Sequence, residues 1–81
     1  MLNPNNINTL INMGPKDLTQ VLDSSGYLGC KFDTAVFKGI NREGQFVYRV
    51  VHADDDTEDP GVECSVFVAY DHDKGRIWAD F

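Results

Sequence analysis

An α+β fold is predicted by this sequence: two short N-terminal helices followed by a four-stranded antiparallel β-meander, in one domain spanning residues 1–81. Three observations carry the prediction. The first 26 residues space their apolar side chains at helical intervals between Pro and Gly punctuation. From residue 30 onward, β-branched and aromatic residues gather in four runs. The connectors between those runs are mostly short, which favours hairpins over crossovers.

The first helix is read in "NPNNINTLINMG". Asn3 can cap it, Pro4 fits the first helical position because no N–H is needed there, and Gly14 ends it. Ile7, Leu10 and Ile11 share one side. Pro15 restarts the pattern in "PKDLTQVLDSSG", with Leu18, Val21 and Leu22 aligned and Gly26 as terminator. Helices of about ten residues are marginal alone in water, so both must dock on something larger.

The four strands are expected over residues 30–40, 45–53, 62–70 and 76–81. "NREG" joins the first two, "DDDTEDPG" the middle pair and "DHDKG" the last; Gly, Asn, Asp and Pro are turn formers. A four-residue loop at 41–44 pairs Ile40 with Gln45 and Val36 with Arg49. Ending the next hairpin at Ala53 and Val62 sets Val51 opposite Cys64. In that register one face carries Phe32, Val36, Val47, Val51, Cys64, Val66, Val68, Ile77, Ala79 and Phe81, a continuous apolar surface to receive the helices. The other carries Phe37, Phe46, Tyr48, Val50, Phe67 and Trp78, interrupted by His52, Glu63, Ser65 and Asp80. Two such helices do not cover both faces, so the ringed face is expected to meet a partner. The alternative is one helix on each face, or a twist strong enough to bury both.

Charge is distributed unevenly. Residues 54–63 hold Asp54, Asp55, Asp56, Glu58, Asp59 and Glu63 with no cation, which matches the whole chain's formal net charge of −6. Phosphate recognition needs clustered Lys and Arg, so direct nucleic-acid binding is not expected. No apolar run approaches the roughly 20 residues of a membrane span, and "MLNPNNINTL" lacks the basic start and apolar core of a signal peptide. A cytoplasmic location is the expectation. There, Cys30 and Cys64 would be reduced.

Chemistry-bearing motifs do not emerge. An EF-hand loop starting at Asp55 meets Pro60 where Gly belongs and Val66 where Glu belongs. Cys30, His52, Cys64 and His72 are separated by 22, 12 and 8 positions, without the close pairs of a zinc site, and the register puts His52 and Cys64 on opposite faces. No nucleophile elbow, P-loop or dinucleotide fingerprint occurs. Cys64 has a carboxylate as chain neighbour, which discourages ionisation. The expectation is a protein that is not an enzyme, with no catalytic residues, metal or cofactor.

What remains is binding. Phe46, Tyr48, Phe67 and Trp78 read as a hot-spot cluster for a protein partner, because large rings dominate interface energetics. Asp54, Asp55, Asp56, Glu58 and Asp59 read as a steering element toward a basic patch on that partner. Inhibitors encoded by phages and other mobile elements share this short, acidic, one-domain build, a likeness of size and charge alone. A DNA-mimic inhibitor is the second reading, weakened because its charges crowd into one stretch instead of following a duplex. A homodimeric structural or regulatory domain, its ringed faces meeting across a two-fold axis, is the third.

Overall fold

The computed structural model describes residues 7–54 and 60–81, and its element order is two helices and then four strands. Helix α1 covers Ile7–Ile11 and α2 Pro15–Ser24; the strands are β1 (Phe32–Ile40), β2 (Phe46–His52), β3 (Glu63–Asp71) and β4 (Arg76–Asp80). All neighbours pair antiparallel in the order β1-β2-β3-β4, the meander that the short connectors predict. The proposed cap and first turn of α1, Asn3 and Pro4, lie outside the described residues.

Local chemistry explains where α2 begins and ends. Pro15 occupies its first turn, where an N–H has no helical acceptor, and the Asp17 carboxylate accepts the Gly14 N–H at 3.1 Å. At the other end Gly26 adopts φ +101°, the Tyr27 N–H reaches the Leu22 carbonyl at 2.9 Å and the Gly26 N–H reaches Asp23 at 3.2 Å. This is the paired hydrogen-bond closure of a Schellman end. Ser25 then fastens the helix to the sheet: its hydroxyl donates to the Val21 carbonyl and accepts the Ala79 N–H at 2.9 Å.

The helices lie on one face of the sheet. Leu10 and Met13, with Leu18, Val21 and Leu22 of α2, pack against Phe46, Tyr48, Val50, Val66, Val68, Ile77 and Ala79. Leu18 and Leu22 are completely buried, each contributing about 2 kcal/mol relative to exposure. Tyr48 ties the segment around the end of α1 to this core. Its hydroxyl donates to the Leu10 carbonyl and accepts the Met13 N–H at 3.0 Å.

The expected register is half right. Val36 does pair with Arg49. The β1–β2 turn is tighter than expected: Asn41 and Gln45 face each other, the Asn41 side chain accepts the Glu43 and Gln45 N–H groups, and Gly44 takes φ +78°. Two points where a pair of β1 residues stands against one of β2, at Asp33 and Lys38, absorb the offset and turn Phe32 to the core side. In the β2–β3 hairpin, Val51 faces Glu63 and Val50 faces Cys64, one residue from the expected pairing. Strand side chains alternate, so that single slip exchanges the faces of half the sheet. Phe46, Tyr48 and Val50 therefore join Cys64, Val66 and Val68 under the helices, while Val36, Val47 and Val51 join Phe67 and Trp78 on the other side.

Candidate functional site

The face opposite the helices presents a diagonal apolar stripe. Val36 on β1 is 52% exposed, and Val47 and Val51 on β2, Phe67 and Ala69 on β3 and Trp78 on β4 are all partly exposed. The pairings Val47–Phe67 and Ala69–Trp78 bring the stripe together across three strands. At its β1–β2 turn end, Phe67 helps line an open depression of about 490 Å³ whose rim includes Arg42, Glu43, Gln45 and Asp80. Such a surface offers rings and branched side chains to a partner without needing to unfold.

Charge frames the stripe. Arg49 donates to Glu63 at 2.5 Å and to the Ser65 hydroxyl at 3.1 Å, crossing from β2 to β3. That guanidinium, by hydrogen bond and by charge, holds the Glu63 carboxyl below the ordinary carboxylate range, with Lys38 adding to the effect. Asp80 is held low as well, chiefly by the Tyr27 hydroxyl it accepts and then by the Phe81 N–H. The Tyr27 and Phe81 rings meet edge to face at 5.2 Å, so the end of β4 is pinned to the loop after α2.

The sheet edges are less open than the face. The two irregularities in β1 interrupt its outer ladder, and on β4 the Ala79 N–H is already donated to Ser25. Bulges and occupied edge donors are how sheets discourage strand addition. Access by a partner is therefore easier to the face than to either edge.

The predicted binding residues divide. Phe67 and Trp78 stand on the open face as expected. Phe46 and Tyr48 do not: they are 8% and 1% exposed, and the expectation that they contact a partner is corrected by the register slip that turns them into the core. Phe37 packs beside them, 6.0 Å and 5.5 Å from their rings, which makes an aromatic wall inside the protein instead of outside it. Asp54 is exposed; Asp55, Asp56, Glu58 and Asp59 lie outside the described residues. Val36, Val47, Val51 and Ala69 were missed as surface residues. Their alternation is visible in the sequence, but it is equally compatible with either face.

One further pairing reverses an expectation. His52 and Cys64 share the helix-covered face, with Sγ 3.3 Å from Nε2. The His52 ring is buried, set edge to face against Phe32 at 5.1 Å and stacked on Phe81 at 6.3 Å. Among the described residues, no group of three or more His, Cys, Asp or Glu side chains is placed to hold a metal ion, and no helix is long and apolar enough to cross a membrane.

Fold and surface together define a small α+β protein whose antiparallel sheet is helix-covered on one side and has an exposed apolar stripe on the other. Comparison with protein-family models, with curated proteins and with solved structures finds no match for this chain.

Proposed function

We propose that this chain is a small acidic interaction module that docks on another protein through the open face of its sheet. The acidic residues 54–59 steer it toward a basic patch on that partner. The observation that carries the reading is the stripe of exposed Val36 and partly exposed Val47, Phe67, Ala69 and Trp78, on the side away from both helices. Large apolar side chains gathered on one exposed face are costly to leave in water and are the usual anchors of an interface. By size and charge the module suits an inhibitor of the phage or mobile-element kind, one that binds and blocks a host protein. The cytoplasm is the proposed location.

DNA mimicry is less well supported by the geometry. The second acidic turn, Asp71 to Asp73, sits at the opposite end of β3 from Glu63, roughly 30 Å away for a nine-residue strand. Between the two lies the apolar stripe, and Glu63 itself is paired with Arg49. Asp71 is also occupied within its own turn, accepting the Asp73 and Lys74 N–H groups.

The test is a matched pair of baits in extract from the source cell: the natural chain, and a Phe67→Ala, Trp78→Ala double variant. The expected result is a protein retained by the first and lost by the second, with purified complex confirming direct contact and the variant still unfolding cooperatively. Equal retention on both baits would overturn the reading.

A further inference from the structure

We propose that Cys64 and His52 form a reactive thiol–imidazole pair, a modification site for hydroperoxides and related soft electrophiles. Three features place the pair beyond a space-filling cysteine. The sulfur and Nε2 are 3.3 Å apart, within reach for proton transfer from thiol to ring. The ring is held in orientation by Phe32 and Phe81, so the base is fixed relative to the nucleophile. Cys64 is only partly buried, which leaves a path for a small reagent, whereas His52 is largely withdrawn from water.

The neighbouring carboxylate does not oppose this. Glu63 precedes Cys64 in the chain, but strand alternation sends its side chain to the opposite face, where Arg49 neutralises it. Phe32 and Phe81 pack against the ring, and Val50 is Cys64's cross-strand neighbour.

The reaction balances with a hydroperoxide as the only co-reactant. Cys64 gives its proton to His52 Nε2, and the thiolate attacks one peroxide oxygen. The S–O bond forms as the O–O bond breaks, and the departing hydroxide takes the proton back from the imidazolium as water. Sulfur is oxidised by two electrons to sulfenic acid, and the peroxide is reduced. The proposal does not depend on the docking surface, which lies across the sheet.

A thiol that only filled space would react more slowly in the folded protein than in the unfolded chain, because burial excludes reagent and disfavours thiolate. This gives a test on the natural protein. Hydrogen peroxide is added at neutral pH with dimedone as sulfenic-acid trap, and adducts at Cys64 and Cys30 are timed by mass spectrometry, folded and in guanidinium. Cys30, also partly buried, is followed in the same samples as a second thiol of the chain. The expected result is Cys64 tagged about tenfold faster folded than unfolded, since a free thiol is only a few per cent ionised near pH 7. A folded rate at or below the unfolded one overturns the proposal. His52→Gln, with folding checked by circular dichroism, should remove the acceleration; full retention of it in the folded variant overturns the proposal equally. If that variant fails to fold, the comparison on the natural chain decides alone.

Discussion

Tyr48 shows how much a single side chain can organise in so small a core. It is 1% exposed, and its hydroxyl satisfies both the Leu10 carbonyl and the Met13 N–H, two backbone groups left over where α1 ends. Tyr48→Phe keeps the ring and strands both partners inside the protein. The expected loss is about 2 kcal/mol, read as a lower denaturant midpoint at unchanged slope, or as a fall in Tm of about 10 °C. The same site sets a pH dependence. Burial pushes the Tyr48 phenol above its ordinary value of 10.0; the Met13 N–H partly offsets that, and the Asp17 charge adds to it. The folded chain therefore holds this proton more tightly than the unfolded chain does. The stability it contributes is complete below pH 10.0 and is lost as pH rises through the higher folded value. Denaturant midpoints followed upward from about pH 9 should fall less steeply in Tyr48→Phe than in the natural protein. Tyr27 is also raised, through its hydrogen bond to Asp80, so a Tyr27→Phe variant serves as the control.

At the scale of elements, the closing turn of α2 is a sharp place to test the fold. Gly26 adopts φ +101°, and a Cβ there would meet nothing within 4 Å, so any effect of Gly26→Ala comes from the backbone and not from a clash. The expected cost is about 1 kcal/mol, a Tm lower by roughly 5 °C, with helix content otherwise kept. A variant as stable as the natural chain would mean that the paired closure at Leu22 and Asp23 can be rebuilt another way. This turn was legible in the sequence because Pro15 and Gly26 act through local backbone geometry, which needs no partner. The β1–β2 hairpin was legible from its short "NREG" connector, but the Val36–Arg49 pairing came out as expected only because the irregularity at Lys38 offsets a turn one residue tighter than expected. The β2–β3 pairing was not legible. Its connector runs from Ala53 through Val62, long enough to close in more than one register, and both faces of the strands it joins are apolar. Hydrophobic alternation then permits either assignment, and only tertiary packing decides. The errors at Phe46 and Tyr48, and the missed His52–Cys64 contact, follow from that one undecided residue. Phe67 and Trp78 were placed correctly because their strands were never displaced relative to each other.

Over the whole molecule, size limits what the open face can do. The radius of gyration is 11.9 Å, the value of about 12 Å that one compact globule of this length should have. Four strands of 9, 7, 9 and 5 residues, spaced about 4.8 Å apart, present only about 500 Å² in plan, against about 800 Å² per partner in a standard stable interface. Two copies meeting through this face alone would associate weakly, so sedimentation at micromolar concentration should find a monomer. A stable dimer at every concentration would instead favour the homodimer reading. A foreign partner faces the same shortfall, and the acidic segment is the natural complement, because long-range charge raises the rate of encounter without needing contact area. Replacing Asp54, Asp55, Asp56, Glu58 and Asp59 by Asn or Gln removes five of the chain's 13 carboxylate residues. Association with the partner should then slow by about tenfold or more at low ionic strength, with little change in dissociation rate or Tm. Added salt should slow the natural chain toward the variant's rate, as the screening length shrinks to about 8 Å at physiological strength. Association rates that are the same for both chains at low salt would remove steering from the mechanism and leave the sheet face to act alone.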